Sequence, residues 1–172
     1  ADDRPVTEET VFRAGSLSKS LVSAVALLLA ENGQLDLQAP VRDIAPEIEI
    51  QNPWADSDPV RVAHLLEHTA GFDDLEIHEY VSRSPDLTLR EGLSINPASR
   101  TVRWRPGMYD SYSNAGPPVA AYILQRKTDT KFETLVADRI FEPLGMTASS
   151  FRRDERVRAH LATGYAADGE TE

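Results

Sequence analysis

The sequence predicts a soluble, helix-rich single domain with little β-sheet. Residues 17–31 contain no proline or glycine and are rich in leucine and alanine, so they read as a helix. No long run alternates apolar and polar residues as a half-buried strand would. The composition, 41% hydrophobic and 27% charged over 172 residues, is that of a folded chain large enough for one core.

Taken in order, residues 1–15 form a polar lead-in where Val11 and Phe12 suit a short extended piece. In the helix over 17–31, Leu17, Leu21, Val25 and Leu28 share one face with Ala24 beside it. Leu27 and Leu29 widen that surface, so burial on most sides is expected. Asn32-Gly33 ends the helix, because glycine accepts a left-handed backbone. Residues 34–59 are an irregular, proline-bearing connection. Asp58 as N-cap and Pro59 as first residue start a helix over 59–68, with Val62, Leu65 and Leu66 inward and Thr69-Ala70-Gly71 breaking it. A short helix over 75–82 is the one element placed between 72 and 103. Pro106-Gly107 makes a turn, and Pro117-Pro118 opens a helix that runs to Arg126. Thr130 and Glu133 read as a capping box for a helix over 131–141, which Glu142-Pro143-Leu144-Gly145 ends. Residues 148–165 suggest the start of a hairpin, and 166–172 an acidic tail.

The formal net charge is -10, from 28 acidic and 18 basic side chains, which argues against nucleic acid as a partner. With no cysteine, disulfides, thiolate catalysis and cysteine metal sites are excluded. The longest apolar stretch, around 21–30, is too short to span a bilayer, and residues 1–10 lack the features of a signal peptide. No Gly-rich phosphate loop occurs, and nothing calls for an organic cofactor.

The sharpest chemical signal is Ser16-Leu17-Ser18-Lys19, where a loop becomes a helix. Residues three apart share a helical face, so Ser16 and Lys19 can meet. A serine hydroxyl needs a neighbour to take its proton. A neutral lysine amine can do so, and a charged one stabilises a deprotonated partner. Ser16 also sits where unpaired N–H groups at a helix start favour negative charge. Taken alone, the motif reads sooner as an N-cap serine and a surface lysine, since S-x-x-K occurs often by chance. The second signal is Tyr112-Ser113-Asn114, between a turn and a helix. Alternate residues of an extended piece point the same way, so Tyr112 and Asn114 face one cleft with Ser113 turned out. A tyrosine is a base near neutrality only beside positive charge, which Lys19 would supply. Alone, this motif is a packed tyrosine and a capping asparagine.

Together, FRAGSLSKS, LLEHTAGFDD, WRPGMYDSYSNAG and IFEPLGM resemble the serine β-lactamase and penicillin-binding-protein superfamily, most of all its class C branch, which includes DD-peptidases and esterases. The resemblance runs over residues 10–165. It implies the β-lactamase/transpeptidase-like α+β fold, with 1–172 a partial domain. That part holds the helical region and the nucleophile helix, while most of the central antiparallel sheet is missing. It implies that Ser16 is the acylated nucleophile, its backbone N–H half of an oxyanion hole. Lys19 and Tyr112 are implied to share general-base work, and Asn114 to orient the substrate and Lys19. The implied substrates are small amides or esters: β-lactams, D-amino-acid peptides or simple esters. The resemblance favours a periplasmic or secreted setting slightly over a cytoplasmic one.

The chain departs from the family pattern in one respect. The third motif, Lys-Thr-Gly or its equivalent, does not follow Asn114, and Lys127-Thr128-Asp129 comes too early, at a helix end. A complementary segment or chain is expected to complete the fold, and a non-catalytic structural or interaction role is the alternative function. A further alternative comes from His64-Leu65-Leu66-Glu67-His68, which matches a zinc-hydrolase spacing: His64 and His68 as ligands on one helical face and Glu67 activating water. The H-T-x-G context favours a structural histidine and no metal. Asp73, Asp74 and Glu76 read as a solvated acidic turn, and His78 and His160 as surface residues.

Overall fold

The computed structural model describes residues 5–80 and 87–165. Its helices are α1 (Ser18–Glu31), α2 (Val41–Ile44), α3 (Val62–Leu66), α4 (Ile77–Tyr80), α5 (Leu89–Leu93), α6 (Gly116–Thr128), α7 (Phe132–Val136) and α8 (Glu155–His160). A 3₁₀ turn, Gly15–Leu17, leads into α1, and a π-helical turn, Ala137–Phe141, continues α7. Among the described residues, β pairing is limited to isolated bridges such as Val11 with Leu161 and Phe72 with Val102.

The centre is α6. Val119, Ala120, Ala121, Tyr122, Ile123 and Leu124 are all buried, so this helix is enclosed on nearly every side. α1, α2, α3, α5 and α7 pack around it. Small residues allow close approach: a Cβ at Gly116 would lie 3.0 Å from the Leu65 carbonyl, so any larger residue would push α6 and α3 slightly apart. Two prolines follow in the first turn of α6, where missing N–H groups cost no intrahelical bond.

The 17–31 helix departs from expectation in its orientation. Its buried side is Val22, Val25, Ala26 and Leu29, spaced i, i+3, i+4, i+7 against the core. Leu17 and Leu27 are exposed, at 74% and 56%, and Leu21, Ala24 and Leu28 are half-buried. The enclosed helix is therefore α6 rather than α1. Gly33, at φ 69°, ends α1 as expected.

Other boundaries also shift. The 59–68 helix shortens to α3: Arg61 is its N-cap, with its backbone N–H donated to His64 Nδ1 at 3.2 Å, and Asp58 instead bonds Ser57. The 75–82 helix is observed as α4, with 81–82 outside the described residues. α5, opened by a reciprocal Thr88–Glu91 capping box, was not foreseen. Thr130 does not cap α7. Its hydroxyl donates to the Thr128 carbonyl, and Lys131 is the N-cap. The 148–165 hairpin is replaced by α8, which Asp154 caps by accepting the Val157 N–H at 2.9 Å. The charged Glu155–His160 segment forms a surface helix, and the 166–172 tail lies outside the described residues.

Candidate active site

Ser16 sits in the 3₁₀ turn after Gly15, whose φ of +54° reverses the chain into the helix. Lys19 Nζ donates to Ser16 Oγ at 2.8 Å, as the three-residue spacing requires. The two neighbouring hydroxyls are engaged elsewhere: Ser18 donates to the Gly15 carbonyl at 2.7 Å and Ser20 to the Leu17 carbonyl at 2.6 Å. Of the three serines in this first turn, Ser16 alone turns its oxygen to side-chain donors.

Tyr112 reaches the same oxygen from far along the chain. Its hydroxyl lies 2.9 Å from Ser16 Oγ across 96 residues of sequence, and Lys19 Nζ stands 5.0 Å from its ring centroid. The 111–114 segment alternates as expected, but Ser113 turns inward rather than out. It is buried, donates to the Asp73 carbonyl at 2.6 Å and accepts the Ala115 N–H. Asn114 lies beside Tyr112, with Oδ1 at 3.5 Å from the phenol oxygen.

Two supporting residues escaped the sequence reading of the site. His68 adopts a left-handed backbone at φ 58°, uncommon outside glycine. Its carbonyl accepts the Ser111 N–H at 2.9 Å, its Nδ1 accepts the Ser113 N–H at 3.3 Å, and its ring lies 4.6 Å from that of Tyr112. The H-T-x-G segment marked this histidine as structural without indicating that it docks the tyrosine loop. Asp74, expected in a solvated turn, accepts from Asn114 N at 2.8 Å and from Asn114 Nδ2 at 3.1 Å. Asp73 keeps the surface role, pairing with Arg103 at 3.3 Å.

The electrostatics favour the ionised form of Tyr112. Hydrogen bonds from Lys19 and Ser16 hold its phenol below the ordinary tyrosine range, with the Lys19 charge adding to them. Burial and the Asp74 charge oppose this. Burial pushes Asp74 upward, yet the N–H groups of Asn114 and Leu75, the Asn114 amide and the Lys19 charge outweigh it and keep the carboxyl below its usual range. Tyr80 moves the other way, raised by burial and then by the Asp74 and Tyr112 charges. The arrangement is thus a serine oxygen between an ammonium and a phenol of lowered pKa, which is what proton removal from a hydroxyl requires.

The zinc alternative does not survive the backbone. α3 ends at Leu66, Glu67 is its C-cap, and His68 lies beyond it in the left-handed region. His64 and His68 therefore do not sit one turn apart on a helical face, and each Nδ1 accepts a backbone N–H. Burial pushes His64 below its usual pKa.

The span 1–172 matches the Beta-lactamase family along its whole length. A beta-lactamase of Yersinia enterocolitica is 29% identical over 162 residues, covering 94% of this chain and 39% of that relative. Esterase EstB of Burkholderia gladioli is 31% identical over 167 residues, covering 90% of this chain and 42% of the esterase. The octameric penicillin-binding protein homologue from Pyrococcus abyssi superimposes with a TM-score of 0.81 at 26% identity, covering 98% of this chain and 40% of that one. This chain thus spans about two-fifths of the relatives it matches. Its helical architecture is part of the β-lactamase/transpeptidase fold, and the chain belongs to the beta-lactamase family.

Proposed function

We propose that this chain carries the nucleophile half of a serine hydrolase centre that works through an acyl-enzyme on a β-lactam, D-amino-acid peptide or ester. The observation that carries the reading is the pair of contacts at one atom: Lys19 Nζ at 2.8 Å and Tyr112 OH at 2.9 Å from Ser16 Oγ. In the active form Tyr112 is a phenolate held by the Lys19 ammonium, and the Ser16 hydroxyl donates to it. The phenolate takes that proton while Ser16 Oγ bonds the substrate carbonyl carbon. The carbonyl oxygen becomes an oxyanion, which the backbone N–H of Ser16, free of an intrahelical acceptor at the helix start, helps to hold. Breaking the amide or ester bond returns the proton from Tyr112 to the leaving group. Water then gives a proton to the same phenolate as its oxygen bonds the ester carbonyl carbon, and the acid is released as the Ser16 Oγ–carbon bond breaks and Tyr112 returns the proton to Ser16 Oγ.

The test is intact-mass analysis of the full-length polypeptide carrying these residues after exposure to a fluorophosphonate. One adduct on Ser16 is expected, absent in Ser16→Ala and slowed about 10²–10⁴-fold in Tyr112→Phe, the usual range for loss of a general base. An adduct on Ser18 or Ser113 instead would overturn the assignment.

A further inference from the structure

Asp74 is held by its own turn and in turn holds Asn114. Its Oδ1 accepts three N–H groups: Leu75 N at 2.8 Å, Asn114 N at 2.8 Å and Asn114 Nδ2 at 3.1 Å. Oδ2 stands 3.2 Å from the same Nδ2. A carboxylate only accepts, so the amide edge facing it must be the nitrogen. The other edge, Oδ1, then points back to Tyr112, at 3.5 Å from its hydroxyl. An asparagine amide left to itself has two faces of equal shape and opposite polarity. Turned over, it would set its carbonyl oxygen against the Asp74 carboxylate, two acceptors facing each other, and leave the Asp74 oxygens without the Nδ2 donor.

We propose that Asp74 is a positioning residue of this centre: it fixes the flip of the Asn114 amide so that Oδ1, not Nδ2, faces Tyr112. The proposal rests on the serine hydrolase reading above and adds a residue to it. It also narrows what Asn114 offers a substrate, since its carbonyl edge, a hydrogen-bond acceptor, is the one turned to the phenol. Asp74 remains ionised in this role because the surrounding N–H groups and the Lys19 charge favour its anion.

A double-mutant cycle in the full-length polypeptide tests this, read by the fluorophosphonate labelling rate of Ser16 and by kcat and KM on a p-nitrophenyl ester. Asp74→Ala is expected to slow labelling roughly 10²-fold, the cost of a slightly misplaced catalytic group, and to act on kcat more than on KM. Asp74→Asn keeps an oxygen at the Oδ1 position and is expected to recover most of the rate. In an Asn114→Ala background, Asp74→Ala should cost less than about threefold, because residues acting through one another are not additive. If Asp74→Ala does not fold, Asp74→Leu, of similar shape and without an acceptor, takes its place in the cycle. Equal losses with and without Asn114, no loss at all, or failure of Asp74→Asn to recover would overturn the proposal while leaving the serine reading intact. Absence of any label on wild-type Ser16 would remove both.

Discussion

A single oxygen, Ser16 Oγ, is where Lys19 and Tyr112 converge, and the proposed mechanism makes a pH-dependent prediction there. In the proposed mechanism Tyr112 works as a base only when ionised, and its hydrogen bonds from Lys19 and Ser16 lower its pKa. The rate should therefore rise with pH through a value below the ordinary tyrosine value of about 10. Lys19→Met removes both a donor and a positive charge, so the phenolate loses stabilisation and the acidic limb of kcat/KM should move to higher pH. The pH profiles of the two proteins check this, and a limb that stays in place would mean that Tyr112 is not the group being titrated. Tyr112 is 53% exposed, so water screens these charges, and the displacement should shrink as salt is raised.

Among the helices, the contact between α3 and α6 governs how the site is held. α3 leads through His68 to the Asp73-Asp74 turn, and the segment just before α6 carries Tyr112 and Asn114. Gly116 lets the two helices meet, since an added Cβ would lie 3.0 Å from the Leu65 carbonyl, a backbone atom with little room to move. Gly116→Ala is expected to lower stability by about 1–3 kcal/mol, the usual cost of overpacking. Differential scanning calorimetry should show the drop, and an unchanged Tm would mean the helices separate freely here. At the same scale, sequence patterns located most helices but misjudged their ends. Thr130 with Glu133 had the right spacing for a capping box, yet the threonine hydroxyl went to the Thr128 carbonyl instead. Such hydroxyls choose among several nearby backbone partners, and local sequence does not set the choice.

For the chain as a single body, α1 is the informative element. One side packs against the core, while Leu17 and Leu27 are exposed at 74% and 56%. Prepared alone, residues 1–172 are expected to self-associate and to bind a hydrophobic dye. Turnover of a chromogenic ester or cephalosporin should fall at least about 10²–10³-fold below that of the full-length polypeptide, the cost of losing one oxyanion donor. Gel filtration, dye fluorescence and steady-state rates measure these. A monomer that melts cooperatively and turns over as fast as the longer polypeptide would contradict the expectation. The sequence already pointed to a part of a larger fold, through the missing third motif and the lack of alternating strands, and the relatives match this span over about two-fifths of their length.

Where chemistry depends on neighbours a turn or less apart, the residue order was enough. Ser16 and Lys19 meet because three positions make one turn, and Tyr112 and Asn114 share a side because an extended backbone alternates. The high leucine and alanine content likewise made α1 a helix wherever it packed. Only the tertiary structure decided what depends on distant partners. It brought Tyr112 to Ser16 across 96 residues, set Asp74 under Asn114 and His68 against the tyrosine ring, and chose which stripe of α1 to bury. The physical reason is that helix periodicity and strand alternation are local properties of the backbone. A long-range contact, by contrast, exists only when the whole core has assembled and the cost of ordering the intervening chain has been met.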